Sequence, residues 1–178
     1  GSVTYARGVG ATLGATFDAR FTMSEFESLL GLRSLGSSDP ALTRNNKTVT
    51  TRLATTLDGA TKGWQWTASG SYDTTNNDTR TEVATGPLQT AKSQTDVLEL
   101  IANGSGPLFK LPAGMVRASA STAYGERHID SQSVRSGLTT VSALSRTGTF
   151  TRMSVTLPIT SRRGEFGAAF GDFSLSAN

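Results

Sequence analysis

The sequence predicts an all-β fold, an antiparallel up-and-down meander, on three observations. Apolar residues recur at every second position over long stretches, which places them on one side of a strand. Thr, Ser and 19 Gly fill much of the 178 residues, a composition suited to strands, bulges and turns, whereas good helix formers never recur at helical spacing for long. Long polar connections alternate with short turns, the rhythm of a meander.

The first alternation is the longest. Val3, Tyr5, Val9, Ala11, Leu13, Ala15, Phe17, Ala19 and Phe21 share one side, interrupted by Arg7, with Thr4, Gly8, Gly10, Thr12, Gly14, Thr16, Asp18, Arg20 and Thr22 on the other. This is one very long strand or two strands with a glycine-marked bend. Gly8–Gly14 resembles a phosphate loop only loosely, because no Lys-Ser/Thr pair and no helix pattern follow it. The pattern breaks from Met23 to Lys47, a predicted long loop in which Ser24–Leu30 has the capping-box start of a short helix, with Ser24 as cap and Glu27 three residues on.

Strand character returns at Val49, Leu53 and Leu57, and a short turn is predicted at 58–63. The return strand puts Trp64, Trp66, Ala68, Gly70 and Tyr72 on one face and Gln65, Thr67, Ser69, Ser71 and Asp73 on the other. A second long loop is expected at 73–93, then a strand from Asp96 to Asn103 and a turn at about 104–114. The next strand carries Val116, Ala118, Ala120, Thr122 and Tyr124 against Arg117, Ser119, Ser121, Ala123 and Gly125. A third long loop at 128–146 precedes Thr149, Thr151, Met153, Val155, Leu157 and Ile159. A turn at 158–165 leads to a last strand ending at Ala177.

In the clearly alternating strands one side is apolar and the other small and hydrophilic, whereas Val97, Leu98, Leu100 and Ile101 spread over both faces, as do Phe170 and Phe173 in the last strand; short turns oppose long loops. That is the pattern of a transmembrane β-barrel. Trp64 and Trp66 beside a short turn, with Tyr72 and Tyr124 toward the far ends of their strands, are candidate membrane-interface aromatics. Asp18, Asp58, Asp73 and Arg52 read as lumen or interface polar groups. About seven to eight strands are expected, and because bacterial barrels close on an even and often larger number, residues 1–178 read as a partial barrel with no plug domain.

Other chemistry is weakly represented. The net charge of +3 and pI near 9.6 come from 17 Lys and Arg with one doublet, Arg162-Arg163, whereas a nucleic-acid footprint clusters. The absence of Cys removes disulfides and thiolate metal sites. No apolar run reaches the length of a membrane helix. His128, the sole histidine, invites a triad with Asp130 and Ser131, but near neighbours at one strand end do not converge as nucleophile, base and orienter. No catalytic, cofactor-binding or metal-ligating set is expected.

The blocks Gly106–Gly114 (GPLFKLPAG), Asp130–Gly137 (DSQSVRSG) and Leu157–Arg163 (LPITSRR) resemble the middle of the barrel domain of TonB-dependent outer-membrane receptors. Gly171–Asn178 is similar to the strand that follows in that family, and Trp64-Gln-Trp66 to its hairpin tryptophans. The resemblance implies a 22-stranded barrel with an N-terminal plug in the outer membrane. It further implies import of a siderophore, vitamin or glycan, driven by an inner-membrane energy-coupling complex. Its partners would be outer-membrane lipid and the remaining barrel and plug. Neither a plug, a TonB-box segment nor a terminal aromatic strand is recognisable here, and no ligand-binding position of the family is matched. Two alternatives stand beside it. One is a different small outer-membrane barrel; the other is a soluble or extracellular β-sandwich for binding or adhesion, with Trp64 and Trp66 in its core.

Overall fold

A computed structural model of the chain describes residues 1–8, 12–32, 41–160 and 173–177. They form one sheet of eight strands in sequence order: β1 Ser2–Gly8, β2 Leu13–Gly31, β3 Leu42–Thr61, β4 Trp64–Thr81, β5 Gln89–Leu111, β6 Gly114–Arg135, β7 Leu138–Thr160 and β8 Phe173–Ala177. Every consecutive pair is antiparallel. The expected all-β meander is therefore the fold, and the first alternation is two strands, with Gly8 opposite Gly14. No second sheet stacks on the first among the described residues, so the sandwich alternative has no partner layer.

The expected long loops are largely strand. β2 runs through Ser24–Leu30 to Gly31, β4 to Thr81, and β6 and β7 meet at a two-residue turn, Ser136-Gly137. Seven residues, 82–88, join β4 to β5 in place of the loop at 73–93. The physical reason is that hydrophobic alternation marks a strand only where one face is apolar. Where both faces are polar, backbone pairing continues without that signal. The Ser24–Leu30 helix loses to cross-strand pairing: Glu25 lies opposite Lys47, and the Asn45 side-chain amide donates to Glu25 at 2.9 Å.

The tight ends are chemically specified. Lys62-Gly63 and Ser136-Gly137 both have positive φ at each residue, 48° and 83° in the first and 49° and 79° in the second. These are two-residue turns of the mirror-image type whose twist matches antiparallel strands, and glycine takes the second position without strain. The β5–β6 turn is only Pro112-Ala113; residues 104–111 of the expected turn belong to β5, which carries a register shift between Pro107 and Lys110. The expected 158–165 turn falls mostly outside the described residues, as does the start of the last strand.

Hydrophobic burial is almost absent. Among the described residues the buried hydrophobic side chains are Ala113 and Val116, both at the β5–β6 hairpin. Domains in water ordinarily place at least two layers around an apolar core. This sheet has one layer, and six of its strands are 18 to 23 residues long.

Candidate functional site

The pairing register sorts side chains into two continuous faces. Trp66 lies level with Gly59 and Gly104, Gly104 with Ala120, and Ala120 with Met153. This tryptophan face therefore carries the odd residues of β2, β3 and β7 and the even residues of β4, β5 and β6. The opposite, serine face carries Gln65, Ser105, Ser119 and Ser154 in one row.

Within a broad band the tryptophan face holds no charge from β2 to β7. It runs from Leu13 to Met23 on β2, Trp64 to Tyr72 on β4, Leu98 to Gly106 on β5, Val116 to Tyr124 on β6 and Met153 to Ile159 on β7. Two of its threonines turn their hydroxyls back to the sheet: Thr55 donates to the Thr16 carbonyl at 3.3 Å and Thr122 to the Phe150 carbonyl at 3.2 Å. In apolar surroundings a hydroxyl without a partner is costly. On the serine face, by contrast, polar groups bond to one another across strands. Thr4 donates to Asp18 at 2.7 Å, Ser121 to Asn103 at 2.7 Å, and Ser119 and Ser154 share a bond of 2.8 Å.

The upper edge of the band slants across the sheet. Charge or strong polarity begins after Met23 (Glu25), Tyr72 (Thr74, Asn76), Leu98 (Asp96) and Tyr124 (Glu126). Met23 shares its row with Asn76, whereas Tyr124 shares one with Gly70, six residues lower along β4 and four strands away. Six residues are roughly 20 Å of strand and four strand spacings roughly 19 Å, so the edge lies about 45° from the rows. Strands tilted by 35–45° in a layer of fixed height produce this slant. Leu13 to Met23 covers about 34 Å of strand, which at that tilt crosses about 24 Å, close to the height of a barrel's apolar band. The lower edge follows the same slope. Arg7 on β1 stands level with Ala68, while β7 stays apolar to Ile159, beyond the level of Trp64.

Aromatic residues mark both edges. The Trp64 ring lies over Gly106 and the Trp66 ring over Gly59, where an added Cβ would come within 2.6 Å of the Trp66 ring. Glycine at these cross-strand positions lets the indoles lie flat on the sheet. At the upper edge Tyr72 and Tyr124 direct their hydroxyls out of the band, to Asp96 and Glu126, both at 3.0 Å. Asp96 stands just above the band. Hydrogen bonds, from Thr74 first and also from Gln94 and Tyr72, hold its carboxyl below the usual aspartate value despite some desolvation, with a further contribution from the charge of His128.

The other residues singled out in the sequence are now placed. Asp18, Asp58, Asp73 and Arg52 all lie on the serine face, Arg52 and Asp73 as an ion pair at 3.7 Å. His128 Nε2 and Asp130 Oδ2 are 3.0 Å apart on the tryptophan face, while Ser131, one residue on, lies on the opposite face. The three do not converge. Above the band, Lys47, Asn76, Asp78, Lys92, Gln94 and Gln132 line a shallow depression of about 600 Å³, with Asp78 between Arg80 and Lys92 at 3.6 and 3.9 Å. The sequence carries no sign of this grouping, because Asn76, Asp78 and Lys92 lay in the expected loop at 73–93, Lys47 in that at 23–47 and Gln132 in that at 128–146. The resembling blocks fall at the β5–β6 hairpin, the β6–β7 turn and the end of β7.

No protein-family model matches this sequence, and comparison with curated proteins gives no match.

Proposed function

We propose that this chain forms part of the wall of a transmembrane β-barrel in the outer membrane, its tryptophan face against lipid and its serine face toward a wet lumen. One observation carries the reading: a single-layer sheet with almost no buried core, whose uncharged band is tilted, about one bilayer tall and edged by aromatic residues. A face of this kind cannot be covered from within the described residues, and lipid covers it at no cost in lost packing partners. The polar extensions of β2 to β7 beyond the band form the outer rim, where long extracellular segments of such barrels stand.

The finer assignment rests on the resemblance of the sequence blocks to TonB-dependent receptors. On that reading the segment belongs to an active-transport receptor importing a siderophore, vitamin or glycan-like substrate. Energy would come from an inner-membrane complex, and the remaining barrel and a plug would complete the transport path. This chain's own role is to supply wall, lumen lining and rim.

The test is dilution of the urea-unfolded protein into vesicles containing lipids brominated at defined depths. Trp64 and Trp66 are expected to be quenched most strongly by bromine near the headgroups. Emission unaffected by brominated lipid would remove the membrane reading.

A further inference from the structure

In sequence the basic residues look scattered, but the register gathers them. On β6 and β7 all five arginines, Arg117, Arg127, Arg135, Arg146 and Arg152, lie on the serine face. The two carboxylates of these strands, Glu126 and Asp130, lie on the tryptophan face. Arg127 and Arg146 are directly opposite each other in the register. Like charges at such positions destabilise a sheet, with Cβ atoms only about 4.5–5.5 Å apart. The ion pairs among the described residues are Arg52–Asp73, Arg80–Asp78, Lys92–Asp78 and His128–Asp130, so neither arginine of this pair is neutralised by a carboxylate there.

The space beside the pair has a shape. One step down the strands Gly125 lies opposite Gly148, and a Cβ added at either would meet nothing within 4 Å. A depression of about 330 Å³ opens here, lined on the serine face by Ile101, Ala123, Phe150 and Glu99. The register sets Arg127 and Arg146 one same-face step above this small, largely apolar hollow, whose wall also carries the Glu99 carboxylate. Guanidinium groups recognise oxyanions bidentately, and an anion between them converts their repulsion into attraction.

We infer that Arg127 and Arg146, with the hollow over Gly125 and Gly148, form a binding site for a small organic anion with a carboxylate head and an apolar body. The inference rests on the barrel reading, which makes the serine face a lumen. On β6 the pair stands three residues above Tyr124, about 10 Å beyond the apolar band, so solutes entering from the rim meet it before the part of the lumen level with the band. Arg135 lies above it, and Arg152 and Arg117 below, so the same strands carry positive charge along most of their height. Charged side chains lining a pore select ions of opposite sign in this way.

The experiment uses the full protein folded into lipid, with benzoate, acetate and inorganic phosphate as probes in calorimetric titrations. Benzoate is expected to bind more tightly than acetate, because its ring enters the hollow, and more tightly than phosphate. Arg127→Gln and Arg146→Gln should each weaken benzoate by about tenfold or more, and Arg80→Gln, on the other face, should leave it unchanged. Raising salt should weaken binding throughout. A protein that inserts into lipid but binds benzoate no better than acetate, or binds it equally after both arginine substitutions, overturns the inference and leaves the barrel reading standing. Loss of assembly in the arginine variants with unchanged benzoate affinity assigns the pair to a protein carboxylate and also overturns it. Failure to insert into lipid overturns the barrel reading, and the site falls with it.

Discussion

Replacing Ala120 with Arg tests the assignment of faces at its most sensitive point. Ala120 is exposed on the tryptophan face, level with Gly104 and Met153, and lies midway between Val116 and Tyr124, the limits of the uncharged band on β6. An arginine at the bilayer midplane costs about 2–4 kcal/mol on the lipid face of a barrel. The control is Ser119→Arg, one residue away on the serine face. It removes the Ser119–Ser154 hydrogen bond of 2.8 Å, worth about 0.5–1.5 kcal/mol, and places the new charge directly between Ser105 and Ser154, with Arg117 and Arg152 only as same-strand and diagonal neighbours. Ser121 is a poorer control because it lies opposite Arg152, and like charges there add a penalty of their own. Urea titrations of the protein folded into vesicles should therefore show a clearly larger loss for Ala120→Arg than for Ser119→Arg. Equal losses, or the reverse order, would refute the assignment.

Three further outcomes are expected. Gly106→Val should displace the Trp64 ring that covers this glycine, destabilising the hairpin by about 1–3 kcal/mol and shifting indole emission; an unchanged spectrum and midpoint would contradict the stacking. Asp96 has a lowered carboxyl pKa, so its contribution to stability is fully present above the unfolded aspartate value and is lost as pH falls through the folded one. Tyr72→Phe removes the 3.0 Å bond and should move that acid loss to higher pH, read as the urea midpoint against pH; an unshifted curve would count against the interaction. Among the described residues, Thr22–Leu30 of β2 and Leu138–Ser154 of β7 pair on one side only. In water these edges, beside an uncovered apolar face, should drive self-association seen by sedimentation, and a dispersed monomer without detergent that unfolds cooperatively would argue for a soluble fold.

The band was legible in the sequence because period-two alternation is strong where one face is apolar. Trp64, Trp66, Tyr72 and Tyr124 stand at its edges, and Ala120 and Met153 share its face as expected. The strand extensions were not legible. Glu126, His128, Asp130 and Gln132 alternate with Arg127, Ile129, Ser131 and Ser133 with polar groups on both faces, which reads as loop until cross-strand register is known. The same limit hid the arginine pair, since Arg127 and Arg146 are far apart in sequence and meet only through the β6–β7 register. The slant of the band also needs that register, because no single strand reveals tilt. One signal was available earlier: the arginines from Arg117 to Arg135 all fall at odd positions, the parity of the serine face.

The most direct measurement is a spin-label accessibility scan along β6 in lipid, using single cysteines from Val116 to Asp130, a strategy favoured by a chain with no Cys of its own. Oxygen accessibility should peak at Ala118, Ala120 and Thr122, and a water-soluble relaxant at Ser119, Ser121 and Ala123. The alternation should fade above Tyr124 on β6, whereas the same scan on β2 should hold it as far as Met23. Equal accessibility on both faces, or an edge at the same row on both strands, would contradict a tilted barrel wall.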